Sequence, residues 1–201
     1  MAFGKAAWAT ASVQTVYGTA DDDMLGGYWA GATALYGGLG NDSYYIYNPK
    51  NTVFENANEG VDTVITTFSY TLGANLENLT LAANDIWGVG NSLNNIITGD
   101  AGHQTLFGAG GNDILAGGAG ADTFIAKVGN GSDTITDFSG ADGDMVRLGS
   151  YGFTSFASVV ANMTQQGSNV VLKLSAGETL TFSNTIISAF AADDFQYGIN
   201  T

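Results

Sequence analysis

Glycine and aspartate at fixed intervals are the residues of this chain whose types and spacing could do chemistry. From Gly108 to Ile125 the sequence reads GAGGNDILA followed by GGAGADTFI, two nine-residue units back to back. Each starts with glycines, reaches an aspartate (Asp113, Asp122) and places an apolar residue two positions later (Leu115, Phe124). Glycine accepts positive φ without a side-chain clash, so such a run turns tightly and can aim several carbonyls inward. The closing aspartate adds a carboxylate. Calcium favours this mixture, taking about six to eight carbonyl and carboxylate oxygens at roughly 2.3–2.6 Å. The residues after the aspartate alternate outward, inward, outward, as in a short strand, which points Leu115 and Phe124 into a core.

One unit supplies part of a calcium shell and one core side chain, so it needs a neighbouring coil stacked on it. Two units make a coil of about 18 residues, and the chain repeats its pattern at that interval. Asp23, Asp42 and Asp62 each precede an apolar residue by two (Leu25, Tyr44, Val64), at separations of 19 and 20. Asn95, Asp113 and Asp133 do the same (Ile97, Leu115, Ile135), at separations of 18 and 20. On the opposite edge Gln104 and Asp122 are 18 apart, as are Thr33 and Asn51. A third clean unit, GGLGNDSYY, runs from Gly37 to Tyr45. A flexible linker or the turns of a β-sandwich have no reason to keep this register. The spacing predicts a solenoid.

The elements that must position these residues are short strands between tight turns. The chain has 201 residues, 45% of them hydrophobic, 29 glycines, one proline and no cysteine. That composition fits a folded chain rich in turns, and disulfides cannot staple it. A net charge of −14 argues against nucleic acid or an anionic membrane as partner and agrees with a cation. No run of 18 apolar residues is present, so no membrane insertion is expected. The start of the chain, with Lys5 before AAWATASV, is a poor cleaved secretory signal.

The repeats at Gly37–Tyr45 and Gly99–Ile125, with the diverged phrases ENLTL and GVGNSLNNII between them, resemble the RTX (repeats-in-toxin) calcium-binding β-roll family. The resemblance implies an all-β chain, a right-handed parallel β-roll (β-solenoid) of short strands with a small C-terminal capping region. Residues 1–17 are expected as a cap or lead-in with VQTVY as a strand, and 18–148 as the roll with diverged coils over 46–98. Residues 149–201 are expected as the C-terminal cap and an uncleaved type I secretion signal. The stretch with Asp133, Asp137, Asp142 and Asp144 resembles the segment that closes the roll. Several calcium ions are expected, held by Asp23, Asp42, Asp62, Gln104, Gly108, Gly110, Asp113, Gly117, Gly118, Gly120, Asp122, Asp133 and Asp142. In the terminal region FASVVANM has helical spacing with Ser155 as N-cap, and NVVLKL and ETLTF read as strands around the SAG turn.

Functionally these features point to a calcium-binding module of a secreted or cell-surface bacterial protein, folding on calcium after export through a type I secretion apparatus. A calcium-dependent adhesive, self-associating or carbohydrate-binding surface is the alternative, with Trp8, Trp29, Trp87 and nine tyrosines as sugar platforms. These aromatics would otherwise fill the core or the solenoid ends. A third reading is the non-catalytic part of a larger secreted enzyme. The chain has no HExxH, no GxSxG and no cysteine, and its one histidine, His103, falls in a repeat turn. The chain itself is therefore not expected to be an enzyme.

Overall fold

A computed structural model describes residues 4–10, 14–27, 29–175 and 177–198. Residues 1–3 and 11–13 of the expected lead-in, Ala176 of the SAG turn and the last three residues of the expected secretion tail lie outside the described residues.

The chain is an all-β parallel solenoid of about eight coils, each built from two short strands. The coils pair β1 (Ala6–Trp8) with β2 (Thr15–Tyr17), β3 (Met24–Gly26) with β4 (Ala34–Tyr36), and β5 (Ser43–Ile46) with β6 (Thr52–Phe54). They continue through β7 (Thr63–Thr66) and β8 (Tyr70–Thr71), β9 (Asn78–Leu81) and β10 (Trp87–Val89), and β11 (Ile96–Thr98) and β12 (Thr105–Phe107). The last two are β13 (Ile114–Ala116) with β14 (Thr123–Lys127), and β15 (Asp133–Ile135) with β16 (Met145–Gly149). Odd-numbered strands stack in parallel from β1 to β15 as one continuous sheet. Even-numbered strands form the other face, which is broken between β6 and β8. The break coincides with a short coil: Asp62 bonds Glu77, 15 residues on, whereas Asp42 bonds Asp62, 20 residues on.

Most three-residue strands bury their middle residue and leave the flanking ones more exposed, as the period of two demands. Leu25, Leu35, Ile97, Leu106, Leu115 and Phe124 thereby stack into a core that the solvent does not reach. Two buried side chains per coil are few for so many glycine-rich turn residues, and the turns need a second source of order. Outside the core, Tyr17, Tyr36 and Phe54 stack with centroids 5.0 and 4.8 Å apart, the spacing of neighbouring strands. Trp29 and Trp87 also lie outside, 72% and 46% exposed, contrary to the expectation that tryptophans fill the core or the ends.

After β16 the chain forms the helix α1 (Phe156–Val160), capped by the Ser155 hydroxyl accepting from the Ser158 N–H. It ends sooner than its apolar spacing suggests, because Met163 opens β17 (Met163–Gln166). β18 (Asn169–Lys173) and β19 (Thr179–Phe182) then pair antiparallel, and β19 joins β15 in parallel. β20 (Phe195–Tyr197) adds to β16, and Phe138, Phe182, Phe190 and Phe195 pack edge-on and tilted at the end of the coil stack. Among the described residues no helix is long and apolar enough to cross a membrane.

Candidate metal centre

The turn residues just before the odd strands form one column and those before the even strands another. In the first column the carboxylates are tied by a repeated hydrogen bond. The Asp23 N–H donates to Asp42 Oδ1 (2.7 Å) and the Asp42 N–H to Asp62 Oδ1 (2.8 Å). Further along, the Asn95 N–H donates to Asp113 Oδ1 (2.7 Å) and the Asp113 N–H to Asp133 Oδ1 (3.0 Å). The second column repeats it: the Gln104 N–H donates to Asp122 Oδ1 (2.8 Å) and the Asp122 N–H to Asp144 Oδ1 (2.9 Å). One oxygen of each ladder carboxylate thus fixes the side chain to the preceding coil.

The other oxygen is the informative one. Asp42 Oδ2, Asp113 Oδ2, Asp122 Oδ2 and Gln104 Oε1 are buried without any hydrogen-bond partner, on residues only 1% exposed. A buried acceptor left unpaired costs about 1–3 kcal/mol, more when charged. Four at equivalent turn positions are not an accident of packing. Each of the three free carboxylate oxygens faces the glycine that opens its own turn: a Cβ on Gly37, Gly108 or Gly117 would overlap it. The turns thus keep open a small space lined by anionic oxygen, and such a space suits a hard cation.

Electrostatics agree. Burial pushes Asp42, Asp62, Asp113 and Asp144 up to about 6 and Asp133 up to about 7, while backbone hydrogen bonds pull the other way. Neighbouring carboxylates add to the rise at Asp42, Asp62, Asp133 and Asp144. Asp122 is raised as well, first by burial. A dication among these groups would reverse the sign of the field they feel.

The other sequence-derived candidates fall as follows. Gly118 and Gly120 lie at positive φ (93° and 119°), where a Cβ would strike the carbonyls of Asp100 and Gly102 in the preceding coil. Gly110 sits at the roomy position of its turn, and the demanding one is Gly111 (φ 109°), which the sequence reading passed over although a glycine doublet marks it. Asp142 is exposed on the short helical turn Gly140–Asp142, and Asp144 takes the ladder position instead. Asp137, on the same segment, accepts the N–H groups of Gly117 and Gly118 at 3.0 and 2.9 Å. Glu55 also escaped the sequence reading; it lies with Asp42 and Asp62 in one carboxylate cluster. His103 is exposed and meets the Ala121 backbone at 3.1 Å.

Fold and turns together define a class: a parallel β-solenoid whose stacked acidic corners are shaped for cations. Residues 89–124 match the RTX calcium-binding nonapeptide repeat in four copies, so this stretch carries calcium-binding repeats. Two relatives from Rhizobium meliloti (strain 1021) align over 96% of this chain. They are the endo-1,3-1,4-beta-glycanase ExsH, 46% identical over 196 residues, and the endo-1,3-1,4-beta-glycanase EglC, 45% identical over 199. The chain spans 42% of the length of each. Their names overturn the expectation that the chain is not an enzyme. That expectation rested on missing protease and lipase motifs and on carboxylates that the repeat itself accounts for. The crystal structure of the extracellular lipase LipA from Serratia marcescens shares the fold, with a TM-score of 0.53 at 18% identity, over 93% of this chain and 40% of the lipase.

Proposed function

We propose that this chain forms the calcium-dependent roll of a secreted endo-1,3-1,4-β-glycanase, loose where calcium is scarce and ordered where it is plentiful. The observation that carries the reading is the set of buried, unpartnered oxygens on Asp42, Asp113, Asp122 and Gln104, each inside a repeat turn. Without an ion the stacked carboxylates repel, by about 1 kcal/mol per neighbouring pair even at the dielectric of water. With calcium the same oxygens complete a shell, and because that shell does not exist in the unfolded chain, binding adds its free energy to folding. Extracellular calcium modules work at about 10⁻⁴–10⁻³ M. A chain tuned to that range stays unfolded in a low-calcium cytoplasm, which suits export through a type I apparatus, and folds outside. The antiparallel β17–β19 and the phenylalanine cluster serve as its C-terminal cap.

Circular dichroism during a calcium titration tests the folding step, and full β-structure in excess chelator contradicts it. Hydrolysis of a 1,3-1,4-β-glycan by the protein carrying this chain, lost on calcium removal, tests the enzymatic assignment. The alternative of a carbohydrate-binding surface draws on the outer aromatics. In the row Tyr17–Tyr36–Phe54, however, interplanar angles of 22° and 12° turn the ring faces toward one another, leaving mainly edges for a sugar.

A further inference from the structure

The turn that follows β6 departs from the repeat in a way that nothing about an ordinary nonapeptide explains. The register Tyr36↔Phe54 stacks Glu55 on Gly37, so a glutamate occupies the position where the two preceding turns open with Gly18 and Gly37. Its carboxylate turns inward over Gly37, where a Cβ would meet both Asp42 Oδ2 and Glu55 Oε1. Beneath it, the core position that carries Leu25, Val64 or Leu79 in neighbouring coils carries Tyr44, fully buried, whose hydroxyl donates to Glu55 Oε1. Two departures from the pattern therefore meet each other. The Glu55 backbone is held as well, its carbonyl accepting from Asn75 Nδ2 at 3.0 Å.

We propose that Asp42, Glu55 and Asp62 form a three-carboxylate calcium site in which the Glu55 side chain supplies a ligand, with the Tyr44 hydroxyl holding it in place. This rests on the calcium-roll reading and adds to it a ligand outside the nonapeptide pattern. One oxygen from each of the three groups lies within 4.8 Å of the others. Oxygens that share a calcium ion from opposite sides stand about 4.6–5.2 Å apart, so the cluster has the right span. Two oxygens point independently to a missing ligand: Asp42 Oδ2, on a residue 1% exposed, and Glu55 Oε2 are both buried without a partner. Asp62 is fixed through Oδ1 by the Asp42 N–H, which orients it between the coils. The repeat turn at Asp113 opens with Gly108, and Ala126 is stacked on it, so this site holds one carboxylate more than that one and should bind more tightly.

The test uses the whole chain, with calcium uptake followed by calorimetry and tyrosine-sensitised terbium emission as a local probe. Glu55→Gly restores the residue of the preceding turns, and Glu55→Gln keeps the shape while removing the charge. Both should weaken one calcium ion by about tenfold or more, because a full charge at contact distance is lost. The remaining ions and the calcium-induced β-structure should be unaffected. Tyr44→Phe should dim the terbium signal of that ion without removing it from the count. An unchanged isotherm in both Glu55 variants overturns this site and leaves the roll standing. Absence of calcium uptake by the unsubstituted chain overturns the roll and this site together.

Discussion

Asp113 shows how one carboxylate divides its work. Oδ1 takes the Asn95 N–H and ties two coils, and Oδ2 is left for the cation. Asp113→Asn keeps the first role and removes the charge from the second. With calcium, its folding midpoint should move to about tenfold more calcium, or roughly 1.4 kcal/mol. In chelator at pH 8 the sign should reverse, the variant gaining on the order of 1 kcal/mol because no charge is buried, after allowance for solvent screening. Urea denaturation under both conditions reads this directly; a loss in both would leave Asp113 a purely structural residue. The same residues set the pH response. Asp42, Asp62, Asp113 and Asp144 at about 6 and Asp133 at about 7 lie above the ordinary aspartate value of 3.8. A folded-state pKa above the unfolded one means the metal-free fold binds protons more tightly than the unfolded chain. This contribution is complete below pH 3.8 and disappears as pH rises through 6 to 7. The calcium-free protein should therefore gain β-structure on acidification from pH 8 to 5, while calcium affinity falls over the same window. Circular dichroism after exhaustive calcium removal measures the first half, and loss of β-signal on acidification would refute it.

At the scale of the turn, two adjacent glycines should behave differently. A Cβ on Gly110 meets nothing closer than Ser92 Cα at 3.6 Å, whereas one on Gly111, at φ 109°, would overlap the Leu93 carbonyl of the coil before. Gly110→Ala should stay within about 0.5 kcal/mol of the parent. Gly111→Ala should cost on the order of 1–3 kcal/mol, compared as thermal midpoints in calcium. This contrast also marks where the sequence was readable. The pairing of an acid or amide with an apolar residue two positions on placed β3, β5, β6, β7, β11, β12, β13, β14 and β15, because strand period and turn length both follow from it. At the end of the roll the resemblance offered a run of acids, and the expected ligands included Asp142 and not Asp144. The turn Gly140–Asp142 lengthens its coil so that Asp122 bonds Asp144, 22 positions on. The better signal was Asp144 itself, two before the buried Val146. Glu55 was hidden because a glutamate where the pattern expects glycine reads as decay of the repeat, and its value shows only when the coils are stacked. The outward tryptophans and β17 had no sequence signal of comparable strength, since burial in a solenoid depends on which rung lies beside which.

Across the whole molecule the acids are unevenly spread, and this sets the order in which the roll should come apart. The first column is acidic at Asp23, Asp42 and Asp62 and again at Asp113 and Asp133, and the second at Asp122 and Asp144. Between them the coil of β9 and β10 has one carboxylate in the ladder, Glu77, which accepts the Asp62 N–H, and otherwise relies on amides. Asn91 Nδ2 donates to the carbonyls of Gly73 and Leu76, both at 2.7 Å, and Asn95 Nδ2 to those of Leu76 and Glu77 at 2.9 and 3.1 Å. These bonds need no ion, and they lie beside Leu76, Leu79, Leu81 and Ile97, an all-aliphatic part of the core that is fully buried. In a stack where each coil touches only its neighbours, stability is roughly a sum of coil and interface contributions, so segments can open separately. Calcium removal, in a chain of net charge −14, should thus open the acidic coils and spare the middle. Hydrogen exchange in chelator should leave β9 and β11 the most protected strands. Amides of β13 and β14 should lose about a hundredfold or more in protection relative to the calcium-loaded state, equivalent to roughly 2.7 kcal/mol. Persistent protection in β13 and β14 would mean that calcium does not hold those coils. A uniform collapse of every strand would mean that the asparagine-bonded coil cannot stand without its charged neighbours, and that the roll folds as a single unit.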